Sequence, residues 1–179
     1  MADRGLTGVL LVGGQSRRFG SPKPLARFRG HTLAEIAWET LGEACDERLA
    51  LGKLSDGLEL PFPLVDDGTG VRAPLAGVVA GLRAARHERV VVLPVDMPLV
   101  TPALLRQLAD ADGDAVIPQT GPAPAALTRS ALPVLERHLA QGQLALRPAL
   151  RDVGLEIVEF DPGLLANVNE PGDLEALAR

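Results

Sequence analysis

Four short stretches of this chain place polar or flexible residues where chemistry could be done. The first is residues 10–25, LLVGGQSRRFGSPKPL, in which an apolar run ends in Gly13-Gly14 and is followed by Arg17, Arg18 and Lys23. Adjacent glycines let the backbone turn tightly and approach a ligand with no Cβ in the way. Amide donors with cations around them suit a phosphate chain. The same stretch also reads as a tight strand-to-helix turn with solvated arginines, and it is neither G-x-G-x-x-G nor a Walker A sequence. The second stretch is Asp66-Asp67-Gly68, either an Asp-Gly turn or a pair of ligand-facing carboxylates. The third is Asp96, directly after the apolar run RVVVLPV. A carboxylate there either caps a turn or meets a metal or polar ligand. Beside a phosphate loop the ion would be Mg²⁺, which takes one or two carboxylates together with phosphate and water oxygens. The fourth is Asn167 and Asn169. Two apart, they face one way in an extended chain and could grip a ligand, or they cap the helix that Pro171 begins.

The elements between these stretches alternate. Leu6 to Val12 reads as a strand buried on both faces. Thr32 with Glu35 makes a capping box for a helix over about residues 33–44. Short strands follow at Arg48–Leu51 and Phe62–Val65. Pro74 starts a helix ending near Ala85, whose small residues Ala76, Gly77, Ala80 and Gly81 predict close packing on the sheet or a ligand. Arg89 to Val95 is the most strand-like run and should be central. Thr101 and Pro102 open another helix. Asp114–Pro118 is a strand, and Pro122–Leu127 reads as a loop leading into an edge strand. Helices at 130–139 and 144–153, a half-exposed strand at 155–160 and a last helix from Pro171 complete the chain. Such alternation predicts an α/β fold, a parallel or mixed sheet with helices on both faces. Ligands in these sheets sit at the carboxyl ends of strands, and all four polar stretches fall there.

The remaining composition excludes several classes. At 179 residues the chain is expected to be one domain, residues 1–179. A formal net charge of −5 argues against a nucleic-acid surface. The single Cys45 leaves no internal disulfide or multi-cysteine metal site; it reads as a buried small apolar residue rather than a nucleophile. His31, His87 and His138 share no ligand spacing, no Ser-His-Asp set is visible, and Trp38 reads as packing. Charged Asp3 and Arg4 precede a short apolar run, and no run reaches membrane-spanning length. A cytoplasmic protein without nucleic-acid or membrane partners is expected.

The ordered motifs carry a resemblance. The first loop resembles the LAGG-x-S-x-R-M-G-x-D-K loop of nucleotidyltransferases, and Ala73–Gly77, APLAG, looks like their GPLAG segment. LPVDMP at 93–98 is similar to their P-C-D-M-P turn, and NVNEPGDL at 167–174 to N-x-N-T-P-E-D-L. Together these resemble the MobA-type molybdenum cofactor guanylyltransferases nearly end to end. The resemblance implies a three-layer, Rossmann-like nucleotidyltransferase fold with a mostly parallel mixed sheet. It implies GTP and molybdopterin (as the molybdenum cofactor) as substrates, pyrophosphate as a product, and Mg²⁺. Leu11, Val12, Gly13, Gly14, Lys23, Asp67 and Asp96 are the implied nucleotide-binding residues. Arg18, Lys23 and Asp96 are the implied catalytic ones, with Arg18 and Lys23 on the triphosphate and Asp96 on the metal. Asn167 and Asn169 are implied on the pterin side, and molybdoenzymes or their chaperones are expected partners downstream. The sequence departs from the pattern at Val12, which replaces alanine and puts bulk near the presumed base pocket. Pro22 replaces the aspartate before the lysine, Phe19 a methionine, Ala73 a glycine and Val95 a cysteine. The family's asparagine after the second strand has no clear counterpart around Leu51-Gly52-Lys53.

The chemistry agrees with the residues. When the attacking group is already a phosphate oxygen, no strong base is required. Alignment of two anions and neutralisation of charge at the α-phosphate and the leaving pyrophosphate suffice. Two other readings are the cytidylyl enzyme of the same pathway, which shares the first loop, and a catalytically silent nucleotide- or cofactor-binding protein.

Overall fold

The computed structural model describes residues 5–13 and 19–178. In chain order the elements are β1 (Leu6–Leu11), the two-residue strands β2 (Arg27–Phe28) and β3 (His31–Thr32), α1 (Leu33–Ala44), β4 (Glu47–Gly52), β5 (Leu64–Asp66), α2 (Pro74–Ala84), β6 (Arg89–Pro94), α3 (Pro102–Asp110), β7 (Ala115–Pro118), β8 (Ala125–Thr128), α4 (Leu132–Ala140), α5 (Leu146–Gly154), β9 (Leu155–Val158) and α6 (Pro171–Leu177). Seven strands form one sheet in the order β5-β4-β1-β6-β8-β7-β9, and β2 pairs only with β3. β1 is parallel to both of its neighbours. The chain therefore winds from β1 to one side through β4 and β5, then crosses back over α2 to β6 on the other side. The carboxyl end of β1 is a topological switch point, where the crevices of such sheets bind ligands.

Each element follows from its residues. All six residues of β1 are buried, as a strand covered on both faces requires. Thr32 caps α1 as expected: its hydroxyl accepts the Glu35 N–H at 3.1 Å, and the Glu35 carboxylate accepts the Thr32 N–H at 2.7 Å. The Thr32 N–H, and next the Thr32 hydroxyl, which also donates to the Glu35 carboxylate at 2.9 Å, hold that carboxyl below its ordinary range. The core lies in two layers. One side of the sheet packs Leu10, Leu93 and Val116 under Leu41 of α1 and Leu105 of α3. The other packs Val9, Val92 and Ile117 under Leu82 of α2, Leu135 of α4 and Leu150 of α5. Burial, and secondarily Asp46, pushes the Cys45 thiol up to about 12, which removes it as a nucleophile.

β8 corrects the expectation of an edge strand. It lies inside the sheet, antiparallel to both β6 and β7. The prolines that suggested an edge, Pro122 and Pro124, precede the strand, so residues 125–128 keep all their N–H donors. The edge on that side is β9, with Ile157 half exposed.

The small residues of α2 serve the sheet. A Cβ on Gly77 would stand 2.7 Å from Leu11 Cδ2, and one on Gly81 would stand 2.8 Å from both Val9 methyls. Gly81→Val is expected to destabilise the protein by about 1–3 kcal/mol through overpacking. Urea denaturation measures this, and an unchanged midpoint would show that the interface is looser than its geometry.

Candidate active site

The four polar stretches meet at one end of the sheet, around two adjoining recesses. The larger is a cavity of about 820 Å³, walled by the ends of β1 and β6, by Lys23, by residues 120–123 before β8, by residues 144–146 at the start of α5, and by Asn167 and Asn169. The smaller, about 380 Å³, lies on the β4 side and is lined by Lys53, Asp67, Arg72 and Gly77 among others. Leu11, Gly13 and Pro74 line both recesses. One extended ligand could therefore span them across the end of β1.

β1 reaches this point with its hydrogen bonds already assigned. The Leu11 carbonyl accepts the Val95 N–H at 3.1 Å, and the Val12 N–H donates to the Leu51 carbonyl at 3.0 Å. What the strand end offers a ligand is the Val12 carbonyl and the exposed backbone of Gly13. A Cβ on Gly13 would meet nothing within 4 Å among the described residues beyond its chain neighbours. Close approach by a ligand, rather than protein packing, is thus what suits glycine here. The Val12 side chain is 1% exposed and packs in the core with Leu10 and Phe62. Val12 lines the larger cavity and is absent from the lining of the smaller recess. Gly14, Arg17 and Arg18 lie outside the described residues.

Lys23 and Asp96 come together. Lys23 Nζ donates to Asp96 Oδ2 at 3.1 Å, with the side chains 14% and 25% exposed. Lys23 stands between Pro22 and Pro24 in a single 3₁₀ turn closed by the Leu25 N–H to the Pro22 carbonyl at 3.0 Å. Two fixed φ angles and a buried Pro24 make this a stiff mount for the lysine. Pro22 thus supplies rigidity where the resembling family has a charge, and Asp96 itself supplies the carboxylate that orients Lys23.

The asparagine segment is anchored to the same turn. The N–H of the buried Val168 donates to the Asp96 carbonyl at 2.8 Å. Asn167 and Asn169, on either side of it, are exposed and line the larger cavity. The cap of α6 is built from Asp173, whose carboxylate accepts the N–H groups of Asn169 at 2.7 Å and Glu170 at 2.9 Å. Those bonds hold the Asp173 carboxyl below its usual range. Both asparagine side chains are left without a capping duty among the described residues.

Sequence reasoning missed Lys53. It sits in a stretch, residues 52–61, that reads as a polar loop, yet its side chain is only 9% exposed and pairs with Asp67, 7% exposed, at 2.5 Å. Asp67 is therefore not a simple Asp-Gly turn residue. Its neighbour Asp66 is one: Asp66 accepts the N–H groups of Leu54 and Gly68 at 2.9 and 2.8 Å, which lower its pKa.

Among the described residues no three His, Cys, Asp or Glu side chains cluster as a metal cage. A lone carboxylate does fit Mg²⁺, because that ion draws its other oxygens from substrate phosphates and water. Asp96 Oδ1 makes no hydrogen bond among the described residues, so one oxygen is uncommitted even while Oδ2 holds Lys23.

Glycine backbone open to a ligand, beside a paired cation and carboxylate at the switch point of a doubly wound sheet, is the equipment of a nucleotidyltransferase. Comparison with known proteins narrows the class. The model of the family described as MobA-like NTP transferase domain matches residues 8–156, and the chain belongs to that family. A relative from Chloroflexus aggregans, named probable molybdenum cofactor guanylyltransferase, is 36% identical over 95% of this chain and 92% of its own. Another from Pseudomonas entomophila, named molybdenum cofactor guanylyltransferase, is 34% identical over 91% of this chain and 93% of its own. The crystal structure of molybdopterin-guanine dinucleotide biosynthesis protein A from Archaeoglobus fulgidus superposes with a TM-score of 0.78 at 28% identity, covering 96% of each chain.

Proposed function

We propose that this protein transfers GMP from GTP to the phosphate of molybdopterin, carried as the molybdenum cofactor, and releases pyrophosphate. The observation that supports this best is the pair of recesses joined over Leu11, Gly13 and Pro74. The nucleobase occupies the smaller recess, beside Asp67. The triphosphate crosses Gly13 toward Lys23, and Arg18 is the second cation that the resemblance assigns to it. The pterin phosphate enters the larger cavity from the side of Asn167 and Asn169.

In this arrangement an oxygen of the pterin phosphate attacks the α-phosphorus of GTP. The bond from that phosphorus to the bridging oxygen breaks, and the electron pair leaves with pyrophosphate. Lys23 draws off charge from the phosphates, and the rigid Pro22-Lys23-Pro24 turn fixes where it does so. Asp96 is the residue that would hold Mg²⁺, and the ion, when bound, would add charge neutralisation to that of Lys23. No side chain needs to carry the nucleotide covalently.

Thermal shift and product analysis test the reading together. GTP with Mg²⁺ is expected to raise the melting temperature, and CTP is not. The pure protein with molybdenum cofactor and GTP is expected to form a guanine dinucleotide product detectable by mass. A larger shift with CTP and a cytosine dinucleotide would reverse the assignment, and no product with any nucleotide would leave a binding protein.

A further inference from the structure

We propose that Lys53 is a positioning residue for nucleobase specificity: it clamps one oxygen of Asp67 so that the other is presented to the donor edge of guanine. The inference rests on the guanylyltransferase reading and adds a residue and a role to it.

An ammonium group has three donors, and in Lys53 all three have acceptors. Nζ lies 2.5 Å from Asp67 Oδ1, donates to the Thr69 carbonyl, and lies 3.3 Å from Thr69 Oγ1. Lys53 thus has no donor left for a ligand, although it lines the smaller recess. It acts through Asp67. The Asp67 bonds are one-sided in the same way. Oδ1 also accepts the Thr69 N–H at 3.0 Å and the Thr69 hydroxyl at 3.2 Å. No side-chain hydrogen bond among the described residues falls on Oδ2.

The result is a buried carboxylate with one oxygen saturated and one open, on the wall of a recess. Arg72, the other cation there, is committed to Asp56 by two bonds of 2.7 and 3.2 Å. The open group is therefore an acceptor that matches a donor. Guanine offers two adjacent donors, the ring N1–H and the exocyclic amine. Hypoxanthine, the base of ITP, keeps the first and lacks the second. Without Lys53, Asp67 would lose its counter-charge and its strongest tether, and the carboxylate could turn toward Thr69 or solvent.

The test compares GTP and ITP in the wild type, Lys53→Met, Lys53→Arg and Thr69→Val, by direct binding and by steady-state turnover. The wild type is expected to prefer GTP over ITP by about tenfold or more in Kd and KM, the size of a hydrogen bond to a charged group. Lys53→Met is expected to compress that preference to within about threefold, mostly by weakening GTP, with kcat at saturation nearly unchanged; these are the magnitudes of one lost contact. Lys53→Arg, which keeps the charge, restores part of the preference. Should Lys53→Met fail to fold, Thr69→Val removes one tether from both partners and is expected to lower the ratio by about threefold on the same reasoning. A wild type indifferent to the exocyclic amine would overturn the inference. So would a Lys53→Met protein that keeps the full ratio, or one that loses GTP, ITP and kcat in parallel. A wild type that binds CTP in place of GTP would instead overturn the guanylyltransferase reading, and the first titration shows this before any variant is made.

Discussion

Asp96→Asn is expected to fold as the parent does and to lose turnover by about 10²–10³-fold or more, the scale of losing a charge-stabilising group at a reacting phosphate. Asparagine has the same shape. Its side-chain oxygen can still accept from Lys23, and its backbone carbonyl still accepts the Val168 N–H at 2.8 Å, so the turn and the asparagine segment stay in place. What disappears is the negative charge that can hold a divalent cation. The loss should therefore fall on kcat, with circular dichroism and melting temperature unchanged. Pyrophosphate release from GTP and molybdenum cofactor measures it. A variant within tenfold of the parent would remove Asp96 from the metal role.

Gly13→Val is the complementary case, in which space decides the outcome. Among the described residues, its chain neighbours aside, no atom lies within 4 Å of a Cβ at this position, and Gly13 is not among the residues of positive φ. A valine should therefore be accommodated by the fold without strain. The branched side chain would fill the point where the two recesses join, over which the phosphates are proposed to pass. GTP affinity is expected to fall by about 100-fold or more, as expected when a close backbone approach is blocked, with little change in stability. Isothermal titration against GTP and Mg²⁺ checks this. Gly81→Val should do the reverse, because its glycine is spent on Val9 and lies away from both recesses. Binding retained by Gly13→Val would move the nucleotide off the end of β1.

Much of this architecture was legible because it rests on local physics. The capping box at Thr32, the prolines at the starts of α2, α3 and α6, and the apolar runs of β1 and β6 each announce an element from a few residues. The convergence of Lys23, Asp96, Asn167 and Asn169 on one cavity follows from strand polarity, which the alternation of strands and helices already dictates. β8 was misplaced because position within a sheet is set by pairing partners distant in sequence. Arg89–Val92 and Ala115–Val116, which flank β8, leave no mark on residues 125–128. The burial of Lys53 was hidden for a related reason. A lysine in a Gly-rich polar stretch looks solvated until the acceptor 14 residues away, Asp67, is seen to share its pocket. The β2–β3 pair, two residues each, is too short to show a period.

The contact between Lys23 and Asp96 also bears on how ligands arrive. At 3.1 Å Lys23 holds one oxygen of Asp96 and places a positive charge beside the other, so each group is partly engaged before a ligand arrives. A triphosphate that draws Lys23 away releases Asp96 for a cation, and a cation on Asp96 releases Lys23 for phosphate. Each ligand removes a competitor of the other, so their affinities are linked, and the linkage is reciprocal. On this geometry a divalent ion and a nucleotide would each be expected to bind more tightly in the presence of the other, which titration of GTP with and without Mg²⁺ measures. The ion pair is then a thermodynamic coincidence detector, set by two side chains that meet across the end of a sheet.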